Sequence, residues 1–138
     1  MAQYTYDALG HRIEFINSID VSSSSQPTTK RYYYDGQRIA YMEKTAGATT
    51  YGYHYAYGNY IDEVLLFRSN TSSSDSYLLH DHLFSSVAYT TLGGIIMNRW
   101  EYDAYGNPAV YTRLYSQSSY WSNPFLFTGR EVDPPSFL

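Results

Sequence analysis

The residues best suited to metal chemistry lie in one short stretch, His80-Asp81-His82. On a β-strand, positions 80 and 82 share a face, so both imidazoles could contact one ion. No third ligand type lies nearby in the sequence. The alternative is a polar stretch near a turn whose groups are hydrogen-bonded within the sheet. We favour that alternative and predict neither a metal site nor a cofactor.

Carboxylates that could pair for acid–base catalysis of glycoside hydrolysis are spread along the chain. They are Asp62, Glu63, Asp81, Glu101, Asp103, Glu131 and Asp133. Most fall at turn positions, where a structural role accounts for them. Serines cluster in loops, and the sequence has no Gly-x-Ser-x-Gly nucleophile motif and no phosphate-binding glycine loop. We therefore predict that the protein is not an enzyme.

Composition argues against several classes of partner. The net charge is −4 and only 16% of residues are charged, so we expect no nucleic acid as partner, because its binding needs a concentrated basic face. No apolar run approaches the roughly 18 residues of a membrane-spanning helix. Cysteine is absent, and the first residues carry no leader pattern, so no secretory signal is expected in this chain. Asn70-Thr71-Ser72 fits the N-glycosylation pattern, which is common by chance.

Tyrosine dominates the aromatic residues, with eighteen copies. Tyrosine favours strands and has a large ring with a polar tip, which suits broad, half-exposed sheet surfaces. Polar and apolar residues alternate along most of the chain, and turn signals interrupt them at short intervals. The sequence predicts no helix and strands at residues 12–16, 30–34, 38–44, 50–57, 61–68, 77–79, 86–90, 95–102 and 108–115. Gly93-Gly94 is predicted to be a hairpin turn.

One predicted strand carries a run of alternate tyrosines that share a face: Tyr51, Tyr53, Tyr55 and Tyr57. We favour packing within the sheet as their role, because cross-strand aromatic pairs each contribute about 0.2–1 kcal/mol. Association with another copy of the sheet and stacking on sugar rings are the alternatives. His54 lies between them on the other face, where we expect a cross-strand partner and not a catalytic base.

An internal repeat identifies the turns. YDALGHRI (6–13), YDGQRI (34–39) and WEYDAYGN (100–107) each contain Tyr-Asp followed by a glycine, and the second copy has a shortened turn. Asp at the first and Gly at the fourth position of a four-residue turn favours type I geometry, in which the carboxylate accepts a local backbone N–H. Each copy therefore predicts one hairpin. The turn residues are Tyr6, Asp7, Gly10, Tyr34, Asp35, Gly36, Tyr102, Asp103 and Gly106.

The repeats resemble the YD repeat of the RHS family, which includes shell subunits of bacterial toxin complexes and animal teneurins. The second half resembles the RHS repeat-associated core in three blocks: HDHLFSSV (80–87), EYDAYGNP (101–108) and NPFLFTGRE (123–131), continued by Asp133-Pro134. Thr128, Gly129, Arg130, Asp133 and Pro134 belong to the last block. Phe84 stands where the family usually has glycine. The sequence ends before the family's usual tyrosine-rich continuation and its self-cleavage site.

The resemblance implies a fold and a role. It implies an all-β chain of consecutive antiparallel hairpins that forms a twisted sheet strip, as one domain over residues 1–138. Residues 1–69 would be YD hairpins, and residues 70–138 core-like hairpins truncated before the usual core. It also implies a bacterial protein at the cell surface or outside the cell. In the family, long strips close into shells around a polypeptide cargo, and this chain is too short to enclose one.

A short strip has two open edges, and open edges pair with other strands. We therefore predict a non-catalytic structural protein that assembles with other copies through its edge strands into a filament or tube. One alternative is a fragment of a larger shell or surface protein that encapsulates or binds a partner. A further alternative is a carbohydrate-binding module, whose partners would be glycans.

Overall fold

The computed structural model describes residues 2–17, 27–72, 74–117 and 123–132. In these ranges the chain forms ten β-strands and one short 3₁₀ turn. The strands are β1 Ala2–Tyr6, β2 Arg12–Asn17, β3 Thr28–Asp35, β4 Arg38–Ala46, β5 Thr49–Tyr57, β6 Val64–Ser69, β7 Asp75–His80, β8 Ser86–Thr91, β9 Ile96–Tyr102 and β10 Pro108–Thr112. The 3₁₀ turn spans Phe127–Gly129.

The order of the strands in the sheet is their order in the sequence. Neighbouring strands pair antiparallel, as β3 and β4 do from Thr28 opposite Ala46 to Asp35 opposite Arg38. This arrangement confirms the prediction of an all-β chain of consecutive antiparallel hairpins. It follows from the sequence because alternating strands separated by short turns leave each strand beside the one before it.

Two predicted strands are each three residues too long at one end, whereas the other bounds agree to within two residues. The strand predicted from residue 61 begins at Val64, because residues 58–63 close a turn in which the Gly58 amide donates to the Glu63 carbonyl. The strand predicted to reach residue 115 ends at Thr112, because residues 112–116 close another turn. In both places hydrogen bonds of a turn override an alternating pattern that continues through it.

The described residues divide into two compact units, one holding β1 to β4 and most of β5, the other holding nearly all of β6 to β10. In the first unit the buried face carries Phe15, Tyr32 and Met42. The register places Met42 opposite both Tyr32 and Tyr53. The Lys30 ammonium lies 5.7 Å from the centre of the Phe15 ring. Burying each large apolar side chain here contributes about 1.5–3 kcal/mol.

The second unit has its own core. The Tyr89 ring lies between Phe67 and Trp100, with centroid distances of 5.8 and 5.9 Å. The remaining large apolar side chains of this core are Val64, Leu78, Val110, Phe125 and Leu126. Leu126 is not in a strand, so part of this core comes from the segment after β10.

Candidate functional site

Three aspartates, two of them from the Tyr-Asp repeat, hold five-residue turns of one geometry. Asp7, Asp81 and Asp103 each donate their amide to the carbonyl of the fifth residue and accept the amide of the fourth on their own carbonyl. One carboxylate oxygen of each accepts two further amides, those of the third and fifth residues, at 2.8–2.9 Å. These carboxylates are therefore engaged by their own backbone.

The second carboxylate oxygen is also used in two of these turns. It contacts His11 Nδ1 at 3.1 Å in the first and accepts Asn107 Nδ2 at 2.7 Å in the third. Hydrogen bonds from the Asn107 side chain and amide hold the pKa of Asp103 below its ordinary value. Partial desolvation by itself would raise the pKa of Asp7 and Asp81. The hydrogen bonds that their carboxylates accept from backbone amides have the larger combined effect, so the pKa of each lies below its ordinary value. All three aspartates are thus held in the charged form.

The same turn occurs at two further places, where no aspartate stands at its first position. Thr91 and Thr112 take the position of Asp, with the same pair of backbone hydrogen bonds. The fourth residue of every copy has a positive φ: 85° at Gly10, 61° at Phe84, 74° at Gly94, 82° at Gly106 and 58° at Tyr115. The Gly93-Gly94 signal located the first of these two turns. Residues 112–116 contain neither Asp nor Gly, so no sequence signal predicts the turn that begins at Thr112.

The predicted turn at Tyr34-Asp35-Gly36 is shorter. Asp35 pairs with Arg38, which leaves Gly36 and Gln37 as the loop, and Gly36 has a φ of 62°. The Tyr34 hydroxyl donates to the Arg12 carbonyl at 3.0 Å, and its ring stacks on His11 at 4.7 Å. Tyr34 therefore ties this hairpin to the turn that precedes β2.

The three blocks of the second half meet in one buried polar cluster, formed by Ser85, Ser86, Tyr102, Asn123 and Thr128. The Ser86 hydroxyl donates to the Phe125 carbonyl at 2.8 Å, and the Asn123 amide group donates to Ser86 Oγ at 3.2 Å. Tyr102 donates its hydroxyl to the Ser86 carbonyl at 2.6 Å. The Thr128 amide donates to Ser85 Oγ at 3.1 Å. Ser85, Ser86 and Asn123 are fully buried.

The hydrogen-bond directions in this cluster indicate a structural role. The Ser86 proton is directed at a carbonyl oxygen, and no histidine or carboxylate is among the partners recorded for its hydroxyl in the described residues. Burial raises the pKa of the Tyr102 phenol well above its ordinary value, so the hydroxyl stays protonated and remains a donor. Buried polar groups that satisfy one another in this way rigidify a core.

The segment after β10 is shaped to dock at this cluster. Asn123 Oδ1 accepts the Phe125 amide at 3.1 Å, and the Leu126 amide donates to the Arg130 carbonyl at 3.0 Å. The Ser86 amide donates to the Leu126 carbonyl at 3.0 Å, which joins the segment to β8. The Phe127 ring packs against Tyr102 with a centroid distance of 5.6 Å.

Thr128, Gly129 and Arg130 of the third block lie in this segment. Gly129 has a φ of 68° and lies against Asp62, so that a Cβ at this position would meet the Asp62 carbonyl oxygen and its Cβ. The Arg130 guanidinium lies 3.7 Å from the Asp62 carboxylate. Only glycine fits this approach. Asp133 and Pro134 lie outside the described residues.

The tyrosine run lies on β5, with Tyr55 buried and Tyr51, Tyr53 and Tyr57 half-buried. The register places Tyr53 opposite Met42 and Tyr51 opposite Lys44. His54 is exposed and lies opposite Tyr41, with ring centroids 4.5 Å apart. Tyr51, Tyr53 and Tyr55 thus belong to the buried face of the first unit, and His54 to the opposite face.

His80, Asp81 and His82 do not form a ligand set in the structure. Asp81 is engaged by the turn, and burial lowers the pKa of His80 although Glu63 and Asp81 oppose it. Among the described residues no group of three or more His, Cys, Asp or Glu side chains is placed to hold a metal ion. A search of the same residues for a helix with the length and hydropathy of a membrane span finds none.

No protein-family model matches the chain, and a search of curated proteins returns no match. A functional assignment therefore rests on the geometry of the turns, the buried polar cluster and the sheet edges.

Proposed function

We propose that this chain is a non-catalytic structural protein of the RHS type, which assembles with other copies of itself through its edge strands. Two features support a structural role. The repeated geometry of the turns uses the carboxylates for backbone hydrogen bonds, and the polar cluster uses its hydroxyl and amide groups to attach residues 123–132 to β8.

The observation that carries the assembly proposal is the outer edge of β1. Among the described residues β1 pairs with β2 alone, and Gln3, Tyr4, Thr5 and Tyr6 are all exposed. The strand Ala2–Tyr6 contains no charged residue and no proline, which are the usual protections of an edge. A free edge presents unpaired amides and carbonyls that a strand of another molecule can bind.

A second copy is the partner we favour. At the other end of the sheet β10 pairs with β9 on one side, and within the described residues its other side has one isolated bridge, from Tyr111 to Gln117. Pairing of β1 with the last strand of another copy would be a head-to-tail contact, which repeats into rings or filaments. The same edge would accept a further hairpin of a longer strip, so membership in a larger shell is the second candidate.

A charge placed on the edge tests this proposal. Thr5 lies opposite Glu14, so Thr5→Lys adds an edge cation that has a local partner and should leave the fold intact. The matched control is Thr71→Lys, at an exposed turn residue. In sedimentation velocity over a range of concentrations, we expect oligomers for the unmodified chain and the control, and a shift to monomer for Thr5→Lys. An unmodified chain that stays monomeric at every concentration would contradict assembly through the β1 edge.

A further inference from the structure

The exposed face of the first unit carries side chains in three parallel rows across its strands. It is the face opposite to the tyrosine run. The register aligns Thr29, Thr45 and Thr50 in one row, then Glu14, Arg31, Glu43 and Gly52 in the next, then Tyr33, Tyr41 and His54. We call the last group the aromatic row and the middle group the charged row. Polar and aromatic groups therefore lie side by side on one open surface.

The rings of the aromatic row are in contact. The centroids of Tyr33 and Tyr41 are 5.6 Å apart and those of Tyr41 and His54 are 4.5 Å apart, with interplanar angles of 38° and 33°. Tyr33 is 48% exposed, His54 is exposed and Tyr41 is half-buried. The rings thus form a continuous, gently twisted aromatic surface that remains open to solvent.

Gly52 explains how Tyr41 lies. A Cβ built at Gly52 would meet the Tyr41 hydroxyl and would lie 2.9 Å from both Cε2 and Cζ of its ring. The Tyr41 ring therefore covers the glycine backbone, and the ring remains half-exposed. Glycine in the middle of a strand is costly, and close approach of a ring is a reason to have it there.

Polar groups flank the rings at hydrogen-bonding distance. The Tyr33 hydroxyl donates to Glu43 Oε2 at 3.2 Å, and Arg31 Nε lies 3.1 Å from Glu14 Oε1. Desolvation and the bond to Glu43 raise the pKa of Tyr33, so its hydroxyl stays neutral. The Arg31 side chain is 59% exposed, so donors and acceptors of this row remain accessible to a ligand.

We propose that the aromatic row binds an uncharged oligosaccharide, whose sugar rings stack on Tyr33, Tyr41 and His54 while Glu43 and Arg31 hydrogen-bond its hydroxyls. Aromatic faces attract the polarised C–H groups of a sugar ring, and a few polar groups fix its orientation. The charged row has two carboxylates and one guanidinium, and the whole chain carries −4. This excess of negative charge disfavours acidic glycans. The site is separate from the β1 edge, so it does not depend on assembly.

Isothermal titration calorimetry tests the proposal by measuring the affinity for cellohexaose, mannohexaose, chitohexaose and hexagalacturonate. We expect at least one neutral hexasaccharide to bind. We expect hexagalacturonate to bind about tenfold more weakly than that sugar, or more weakly still. Absence of binding to all three neutral sugars would overturn the proposal. Equal or tighter binding of hexagalacturonate would overturn the choice of uncharged ligands.

Two variants separate ligand binding from a packing role of the rings. Tyr33→Ala removes the most exposed tyrosine ring of the row, and Gly52→Ala displaces the Tyr41 ring without removing any aromatic group. Each should weaken sugar binding about tenfold or more, whereas Tyr105→Ala, at a residue 91% exposed in the second unit, should not. Far-UV circular dichroism checks folding. Unchanged sugar affinity in a folded Gly52→Ala protein would contradict the site.

Discussion

Asn123 is the residue whose removal tests the buried polar cluster most sharply. It is fully buried and makes three hydrogen bonds, to Ser86 Oγ at 3.2 Å, to the Phe125 carbonyl at 2.5 Å and from the Phe125 amide at 3.1 Å. At about 1 kcal/mol net for each bond, Asn123→Ala should lower the free energy of unfolding by about 3 kcal/mol. That is a large share of the stability of about 5–15 kcal/mol that is usual for a domain.

Equilibrium unfolding in urea, followed by far-UV circular dichroism, measures this loss. The midpoint should fall while the slope with urea stays the same, because the variant changes stability and not the surface exposed on unfolding. Asn107→Ala is the matched control, since Asn107 is exposed and bonds only within its own turn. It should change stability by about 0.5 kcal/mol or less.

Asn123→Asp sharpens the same test, because it keeps the shape of the side chain. It replaces the Nδ2 donor by an oxygen that faces the Phe125 carbonyl, and it buries a charge at neutral pH. We expect a loss at least as large as that of Asn123→Ala. If Asn123→Ala costs less than about 1 kcal/mol, the hydrogen bonds of the cluster do not attach residues 123–132 to β8 and the reasoning is wrong.

Three further predictions concern the turns and the docked segment. Phe84→Gly should be about 1 kcal/mol more stable than Phe84→Ala in urea unfolding, because both remove the ring but only glycine is unstrained at a φ of 61°; equal stability would contradict a strained turn. Gly129→Ala should cost about 2 kcal/mol more than Gly94→Ala, since both have a positive φ but only the first meets Asp62; equal losses would mean that the segment does not press on Asp62. The pKa of Asp103 is lowered in the folded protein, so the stability that its carboxylate contributes is present above the unfolded pKa and is lost as pH falls through the folded pKa. The difference in urea midpoint between the unmodified chain and Asp103→Asn should therefore shrink between about pH 5 and about pH 2. A difference that stays constant with pH would count against the hydrogen bonds to that carboxylate.

The hairpin order could be predicted from the sequence because its signals are local. Asp7 and Gly10 stand at the first and fourth positions of one turn, and Asp103 and Gly106 stand at the same positions of another. Each turn is determined by residues within five positions of one another, which a single sequence displays. The alternation of the intervening strands then leaves few other pairings.

Phe84 and Tyr115 could not be predicted to occupy the same turn position. Aromatic residues rarely adopt a positive φ, so the sequence at these positions argues against the turn that forms. The pair of backbone hydrogen bonds within each turn holds this conformation, together with the Asp81 carboxylate in the first case. The hydrogen bonds of the turn here outweigh the conformational preference of the single residue.

The buried polar cluster and the aromatic row could not be predicted from the sequence, because each depends on contacts between distant positions. Asn123 and Ser86 are 37 positions apart, and nothing in an alternating pattern indicates where a segment docks after the last strand. The aromatic row requires the register of three strands, with a shift of pairing that begins only after Tyr33. The run of tyrosines on β5 drew attention to the buried face, whereas the exposed rings lie on the other.

The proposal that β1 is extended by another copy is tested most directly by hydrogen exchange of its backbone. Amide exchange of peptides covering residues 2–6 is measured by mass spectrometry at low and high protein concentration, with residues 101–107 as an internal control, because they lie outside the β1 edge. We expect exchange in the β1 peptides to slow as concentration rises, because a second strand occupies the free edge, and we expect Thr5→Lys to abolish that change. Exchange of β1 that is independent of concentration would contradict assembly through this edge.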